Sequence, residues 1–266
     1  MANIAITGAS GRVGREAIQT FPDDSLTLFS HSETEDLETT PLEIEDRSAF
    51  VDALSDEDVL IHLAANPDPR AEWDEVSGPN IDGLYNAYEA AVENDVERVV
   101  FASSNHAVNM RNTVSSIRPE STVGNPTIVR PDDPPDPDTY YGVTKVFGEA
   151  IGDYYAAREG IDVVHLRIGW LLTREELRKE CDGRDGAGER YARAMWLSPE
   201  DCQRVIHRAA TSALERSPVV AHGISQNSGR FLSLSETLMS LEYRPQDDSS
   251  DVLDEDESGR KGLETG

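Results

Sequence analysis

Positive charge is what this chain has least of. Its 24 lysines and arginines face 51 aspartates and glutamates, a net charge of −27 over 266 residues. A phosphate backbone wants a basic face, so nucleic acid is excluded as a partner. An anionic lipid surface is excluded for the same reason. Long apolar runs are also missing. None approaches the ~18 residues of a membrane span, so no membrane partner is expected. The two cysteines, Cys181 and Cys202, show no CxxC spacing, which argues against a disulfide framework or a cysteine-rich zinc site. Six histidines are scattered without ligand spacing, so no metal is expected. There is no internal repeat. The N-terminus, MANIAITGAS, runs straight into a strand without a basic region, apolar stretch and cleavage site. The expected location is therefore cytoplasmic.

Low hydropathy with high charge is also the composition of disorder. Here the apolar residues fall into short, clean runs, which a solvated chain does not need. A folded protein with an unusually acidic surface fits better, as in the cytoplasm of salt-loving organisms. At about 1 M salt the Debye length is near 3 Å, so surface carboxylates barely repel one another. An ordinary acidic protein is the alternative.

The runs alternate in type. Strands are expected at Asn3–Thr7, Leu26–Phe29, Asp58–Leu63, Arg98–Ala102 and Ile161–Arg167. Helices are expected at Arg12–Thr20, Ile81–Val92 and Tyr140–Arg158, with another after Ser198. Strands alternating with helices at this spacing predict an α/β fold, a Rossmann-type doubly wound parallel sheet. The dinucleotide-binding domain is expected over 1–170, with a proline-rich surface loop at 111–139 and a small substrate-binding region at 171–244. Residues 245–266 read as an acidic, disordered tail.

The first strand leads into Gly8-Ala9-Ser10-Gly11-Arg12-Val13-Gly14, a GxxGxxG pattern. Glycines let the backbone turn tightly beside a pyrophosphate, and the following helix offers free N–H groups. Between a strand and a helix, this pattern predicts a dinucleotide cofactor held by Gly8, Ser10, Gly11, Arg12, Val13 and Gly14. The end of the second strand usually carries an acid for the adenosine ribose. Ser30 stands there instead, followed by His31. A 2′-phosphate would meet Ser30, His31 and Arg12, so NADP is expected ahead of NAD. If Glu33 swings in, NAD is preferred instead.

Tyr141 and Lys145 form a YxxxK pair on one helix face. A free phenol has a pKa near 10, and a nearby ammonium is expected to lower it. Lys145 also suits the nicotinamide ribose. The strand ending Phe101-Ala102-Ser103-Ser104 offers a hydroxyl for the reacting oxygen. Ser104 is chosen, with Ser103 the close rival. His62 lies in an apolar strand and reads as structural.

With these motifs in place, the chain resembles the extended short-chain dehydrogenase/reductases of the NAD-dependent epimerase/dehydratase type. Within them it is most similar to the sugar 1-dehydrogenases: uronate, archaeal glucose-6-phosphate and archaeal L-arabinose dehydrogenases. The segments HLAAN (62–66), NIDGLYNAYEAA (80–91), FASSNHAV (101–108), YGVTK (141–145), RIG (167–169) and AMWLSPEDC (194–202) carry the likeness. The resemblance implies Ser104, Tyr141 and Lys145 as the catalytic set. It implies Leu63, Ala64, Ala65 and Asn80 near the cofactor, and Asp46 at the adenine. It implies Asn66, Asn105 and His106 at the sugar, beside Tyr141 and Ser104. The implied reaction removes the anomeric hydroxyl proton to Tyr141 and hydride to the nicotinamide, leaving a lactone.

In the uronate and sugar-phosphate relatives, an arginine five residues before the motif tryptophan meets the anionic end of the substrate. Here that tryptophan is Trp196, and Tyr191 takes the arginine's place. Both are expected at the substrate. A tyrosine favours a neutral aldopentose, L-arabinose first. A one-residue shift would bring in Arg190 and restore an anionic sugar. A nucleotide-sugar epimerase would need a larger C-terminal domain than the fewer than 80 residues between Arg167 and the tail. A dinucleotide sensor would not need both Tyr141 and Lys145. A homo-oligomer is expected through the Ile81–Val92 and Tyr140–Arg158 helices.

Overall fold

The computed structural model describes residues 2–254. At its centre is a seven-stranded sheet in the order β3-β2-β1-β4-β5-β6-β9. All the pairs are parallel. The strands are β1 (Asn3–Thr7), β2 (Ser25–Ser30), β3 (Thr40–Pro41), β4 (Val59–His62), β5 (Arg98–Ser104), β6 (Asp162–Ile168) and β9 (Val219–Gly223). A parallel sheet is covered on both faces, so its strands are near-continuously apolar. Alternation decides which face each residue feeds. Ile4, Ile6, Ile61, Val100 and Val164 form one core with Val205 and Ile206. Ala5, Leu60, Val99, Phe101 and Val163 form the other, with Leu84, Tyr88 and Tyr155.

The helices follow the expected spacing: α1 (Arg12–Gln19), α4 (Gly83–Glu93), α5 (Tyr140–Glu159) and α8 (Pro199–Thr211). Two were not anticipated between them, α2 (Arg47–Ala53) and α3 (Trp73–Ser77). A π-helical turn, Gly78–Asp82, joins α3 to α4 and buries Asn80. The helix expected from Ile81 is therefore regular only from Gly83.

The boundary expected at 170 does not hold. Beyond it, β7 (Trp170–Leu171), α6 (Arg174–Asp182), α7 (Gly186–Met195) and β8 (Trp196–Leu197) do form a small outlying region. The chain then returns: α8 packs beside α1, and β9 completes the main sheet against β6. A last helix, α9 (Ser235–Leu241), packs on β9. The proline-rich segment is a surface loop that is pinned along its length. Val129 is fully buried and bridges to Leu232, and Asn112, Ser121, Thr122 and Asp138 are buried.

The first part of the expected disordered tail is also packed. Residues 249–254 are helical and Val252 is buried against Trp196 and Leu177. The backbone N–H groups of Gln246 and Asp247 donate to the two carboxylate oxygens of Asp201, at 2.9 and 3.0 Å. Ser249 N–H donates to Asn227 Oδ1 at 3.0 Å. The rest of that tail, 255–266, lies outside the described residues. No helix of the described residues is long and apolar enough to cross a membrane.

Candidate active site

One cleft of about 890 Å³ opens along the carboxyl ends of the central strands. The chain order reverses between β1 and β4, so the loops leaving them diverge and open a crevice there. The register sets Thr7 beside His62, which places the glycine loop against Leu63–Ala65. Thr7 Oγ1 bonds His62 Nδ1 at 2.9 Å and accepts from Ala64 N–H at 3.3 Å, locking the two loops together. Burial holds the His62 pKa down to about 3, so this imidazole is neutral and structural.

The glycines answer to steric needs. Gly8 sits at φ +70°, and a Cβ there would lie 2.8 Å from Ala64 N. A Cβ on Gly14 would collide with the Gly8 carbonyl, so only glycine lets α1 start this close to β1. Gly11 caps α1 without a side-chain hydrogen bond, leaving the N–H groups of the first turn to face the cleft. This is the cradle a pyrophosphate fits. Ser10, Arg12 and Val13 line it too. Arg12 reaches across the cleft to Glu176 Oε2 at 2.6 Å.

At the far end of this groove, Ser30 is buried, donating to Ser32 O at 2.7 Å and bonding Thr39 Oγ1 at 2.6 Å. His31 is exposed, with Nδ1 3.7 Å from Glu43. Glu43 and Glu45 line the groove, while Asp46 does not. Asp46 is the N-cap of α2, accepting from Ser48 and Ala49 N–H groups at 2.9 and 3.1 Å. Its carboxylate is committed to the helix and is not brought to an adenine.

The chemistry-bearing residues converge where β5 ends and α5 begins. Thr139 caps α5, its Oγ1 accepting from Gly142 N–H at 2.9 Å, and this sets Tyr141 on the first turn. Lys145 follows one turn later, its Nζ 5.3 Å from the Tyr141 ring centre and 5.1 Å from that of Phe101. Burial pushes the lysine down to about 7 and the tyrosine up to about 12, with the Ser104 hydroxyl drawing the phenol the other way. The expected acidification of Tyr141 is thus not what its surroundings produce; desolvation outweighs it.

Strand alternation separates the two serines. Ser103 Oγ donates to Glu149 Oε1 at 2.6 Å, inside a buried pair in which Arg167 holds Glu149 at 2.8 Å twice. Burial alone would raise the Glu149 pKa; Arg167 keeps it below the usual range. Ser104 faces the cleft beside Tyr141. Behind it, Asn80 Nδ2 donates to Thr144 Oγ1 at 3.1 Å and to Asn66 O at 3.1 Å, tying the loop after β4 to α5. Asn66 lines the cleft; Asn80 and Lys145 stand just behind its surface.

The end of the cleft beside Tyr141 is a chain of buried polar side chains. Asn105 Nδ2 donates to Tyr191 OH at 2.8 Å, and Tyr191 OH lies 3.5 Å from His106 Nε2. His106 Nδ1 is held by Asp138 Oδ1 at 2.8 Å, whose other oxygen accepts from Asn109 at 2.7 Å. Trp170 completes the wall, its ring 5.8 Å from that of Tyr191. Tyr191 lines the cleft. Trp196 does not. It is fully buried in the outlying region, donating Nε1–H to Leu172 O at 2.8 Å. Arg190 turns away to Thr122 O at 3.1 Å, and Arg193 to Glu189 at 2.8 Å. Sequence reasoning missed Trp170, Asp138 and Glu120 here, and only the RIG segment before Trp170 hinted at any of them. Among the described residues, no group of histidine, cysteine or acid side chains is arranged to hold a metal ion.

The model of the NAD dependent epimerase/dehydratase family matches residues 4–183, more than half of the chain. The chain belongs to that family. Within it, an L-arabinose 1-dehydrogenase (NAD(P)(+)) of Haloferax volcanii is 47% identical over 96% of this chain and all of the relative. An NAD-dependent glucose-6-phosphate dehydrogenase of the same organism is 32% identical over 96% of this chain and 97% of its own length. Among solved structures, a mutated uronate dehydrogenase superposes with a TM-score of 0.79 at 28% identity, covering 97% of this chain and 86% of that one. A glucuronic acid dehydrogenase of Chromohalobacter salexigens gives 0.78 at 27%, covering 97% and 89%. Membership of the family, with a cradle that fits a pyrophosphate, makes this a nicotinamide dinucleotide-dependent oxidoreductase.

Proposed function

We propose that the chain is an L-arabinose 1-dehydrogenase that oxidises the anomeric hydroxyl of the cyclic aldopentose to the lactone. The observation that carries this is the substrate end. Tyr191 occupies it, bonded to Asn105, while Arg190 and Arg193 are bonded elsewhere. An arginine fork is the usual partner of a carboxylate or phosphate. Asn105 and Tyr191 offer amide and hydroxyl hydrogen bonds there, which suit a neutral sugar.

Bound NAD(P) supplies the hydride acceptor. The protein supplies position and proton handling. Ser104 and Tyr141 hold the anomeric oxygen between two hydroxyls. Tyr141 takes its proton as the base. Lys145, brought to about 7 by burial, titrates near neutrality one helical turn away. Lys145 Nζ lies 5.3 Å from the Tyr141 ring centre, close enough for its charge to favour the phenolate. Oxidation requires the phenolate and therefore rises with pH. His106, oriented by Asp138, and Asn105 fix the remaining sugar hydroxyls.

NADP is used ahead of NAD in this reading. Ser30 leaves the end of β2 without the carboxylate that would repel a 2′-phosphate, and His31 beside it is open to solvent. A homodimer forms through α4 and α5, whose exposed Tyr85, Val143 and Tyr154 are the apolar surface there.

Absorbance at 340 nm in concentrated KCl tests the substrate, with NAD and NADP in parallel. L-arabinose is expected to lead D-xylose and D-galactose, with glucose 6-phosphate and glucuronate far behind. Preference for either anion overturns the substrate reading.

A further inference from the structure

Glu120 is the one charged side chain at the substrate end whose role the mechanism does not use. It lies on the proline-rich loop and lines the cleft. Its place is fixed by the network that holds His106. The neighbouring Pro119 carbonyl accepts from Asn109 Nδ2 at 2.6 Å, and the same nitrogen bonds Asp138, the partner of His106. The charge of Glu120 is felt by the buried Tyr191 hydroxyl.

Two guanidinium groups flank it. Arg70 Nη2 donates to Glu120 Oε2 at 3.0 Å, and Arg184 Nη2 to the same oxygen at 3.3 Å. Arg184 also bonds Glu180 and lies 4.7 Å above the Trp170 ring, which is itself part of the cleft wall. Both guanidinium bonds fall on Oε2. Oε1 is therefore the oxygen left for a substrate hydroxyl. The two arginines and the two carboxylates, Glu120 and Glu180, cancel in charge.

We propose that Glu120 determines specificity by masking an anion site. It accepts a hydrogen bond from a hydroxyl of a neutral aldose, and it keeps Arg70 and Arg184 from receiving a sugar phosphate or uronate. The proposal rests on the reading of the chain as a dehydrogenase of neutral sugars. Arg70 and Arg184 stand behind Glu120 and do not themselves line the cleft. Removing one negative charge would leave a net positive fork of the kind that binds phosphate and carboxylate bidentately. The effect acts at contact distance, so a Debye length of about 3 Å at 1 M salt does not erase it.

The test compares the wild type with E120Q, which keeps size and hydrogen-bonding capacity. The reading is the ratio of kcat/KM for D-glucuronate or glucose 6-phosphate to that for the best neutral aldose. The ratio is expected to rise at least about tenfold in E120Q, as the loss of one charge-paired contact predicts. Calorimetric binding of D-glucuronate reads the same gain even where turnover is lost. Adding R70Q to E120Q is expected to cancel most of it. An unchanged ratio, or a gain that survives R70Q, overturns the proposal. The wild-type panel separates the two readings. A wild type that prefers D-xylose refutes L-arabinose while the E120Q ratio still tests Glu120. A wild type that prefers the anions refutes both.

Discussion

The two ends of the cleft are built from different materials. The cofactor end is almost bare backbone: glycines at Gly8, Gly11 and Gly14 and the unpaired first turn of α1. The end proposed for the sugar is a web of side chains, Asn105, His106, Asp138, Asn109 and Tyr191, each fixed by the next. A ligand common to many enzymes can be met by peptide groups, which every sequence carries. A particular sugar needs particular hydroxyl partners, and these come from loops far apart in the chain. A change at the first end should thus act through shape, and at the second through hydrogen bonding.

Tyr141→Phe should have the largest effect because it belongs to neither end but to the junction between them. It is expected to lower kcat about a thousandfold and to leave NAD(P) affinity unchanged, measured by fluorescence titration; a matching loss of cofactor binding would place the residue at the cofactor end. Gly14→Ala tests the shape argument. Its Cβ would collide with the Gly8 and Ala9 carbonyls. Overpacking of this kind costs about 1–3 kcal/mol, read as a ten- to hundredfold rise in the KM for cofactor at nearly constant sugar KM.

Lys145→Met gives the comparison a pH axis. In the folded chain the lysine keeps its proton only below about 7, against 10.5 when unfolded. Between those values the unfolded state binds more protons, so wild-type stability rises with pH across that window. The cost of burying the ammonium is present in full below pH 7. Lys145→Met should therefore raise stability there by on the order of 2–4 kcal/mol, in urea melts, with the gain shrinking toward pH 10.5 and activity lost throughout. Equal melts at pH 6 would show that the lysine is not desolvated.

Asp138→Asn addresses the substrate end. It weakens the grip on His106, so the sugar KM should rise about tenfold, the worth of one charged hydrogen bond, with the cofactor KM fixed. Ser30→Asp is the mildest. It should move the NADP-to-NAD ratio of kcat/KM about fivefold toward NAD, within the range of one added surface charge; no movement would mean that Glu43 and Glu45 already decide the preference.

The same contrast explains what could be read from the sequence. The glycine loop was legible because its demand is local: a turn at positive φ followed by a close helix. YxxxK was legible because helical spacing is local too. Counting along one helix singled out Tyr191, which lines the cleft. Trp196, five residues on, was misplaced because α7 stops at Met195 and the chain turns into β8, where the indole enters the core. Asp46 was taken for an adenine contact, although an acid before Arg47-Ser48-Ala49 is also a helix-capping signal, and α2 went unseen with it. Asp138 and Glu120 carried no local signal. Their partners lie 29 to 64 residues away, and no spacing rule spans that distance. Acidic composition hid the order of residues 245–254 for the same reason: their partner, Asp201, sits 45 residues upstream.

That last tie has a bearing on how the molecule is made. Asp201 is wholly buried, and of its contacts only Arg204 comes from its own helix; Gln246 and Asp247 complete them. A ribosome delivers the chain from its N-terminus, so this carboxylate waits for residues 246 and 247 to emerge before its oxygens are satisfied. The first strands and the glycine loop emerge early, while Trp196 in the outlying region is covered only by the later Val252. A chain stopped short of residue 246 would leave the Asp201 carboxylate with Arg204 alone, losing two hydrogen bonds to a charged group worth about 1.5–3 kcal/mol each. Burial of Asp201 thus makes α8 depend on a segment made 45 residues later.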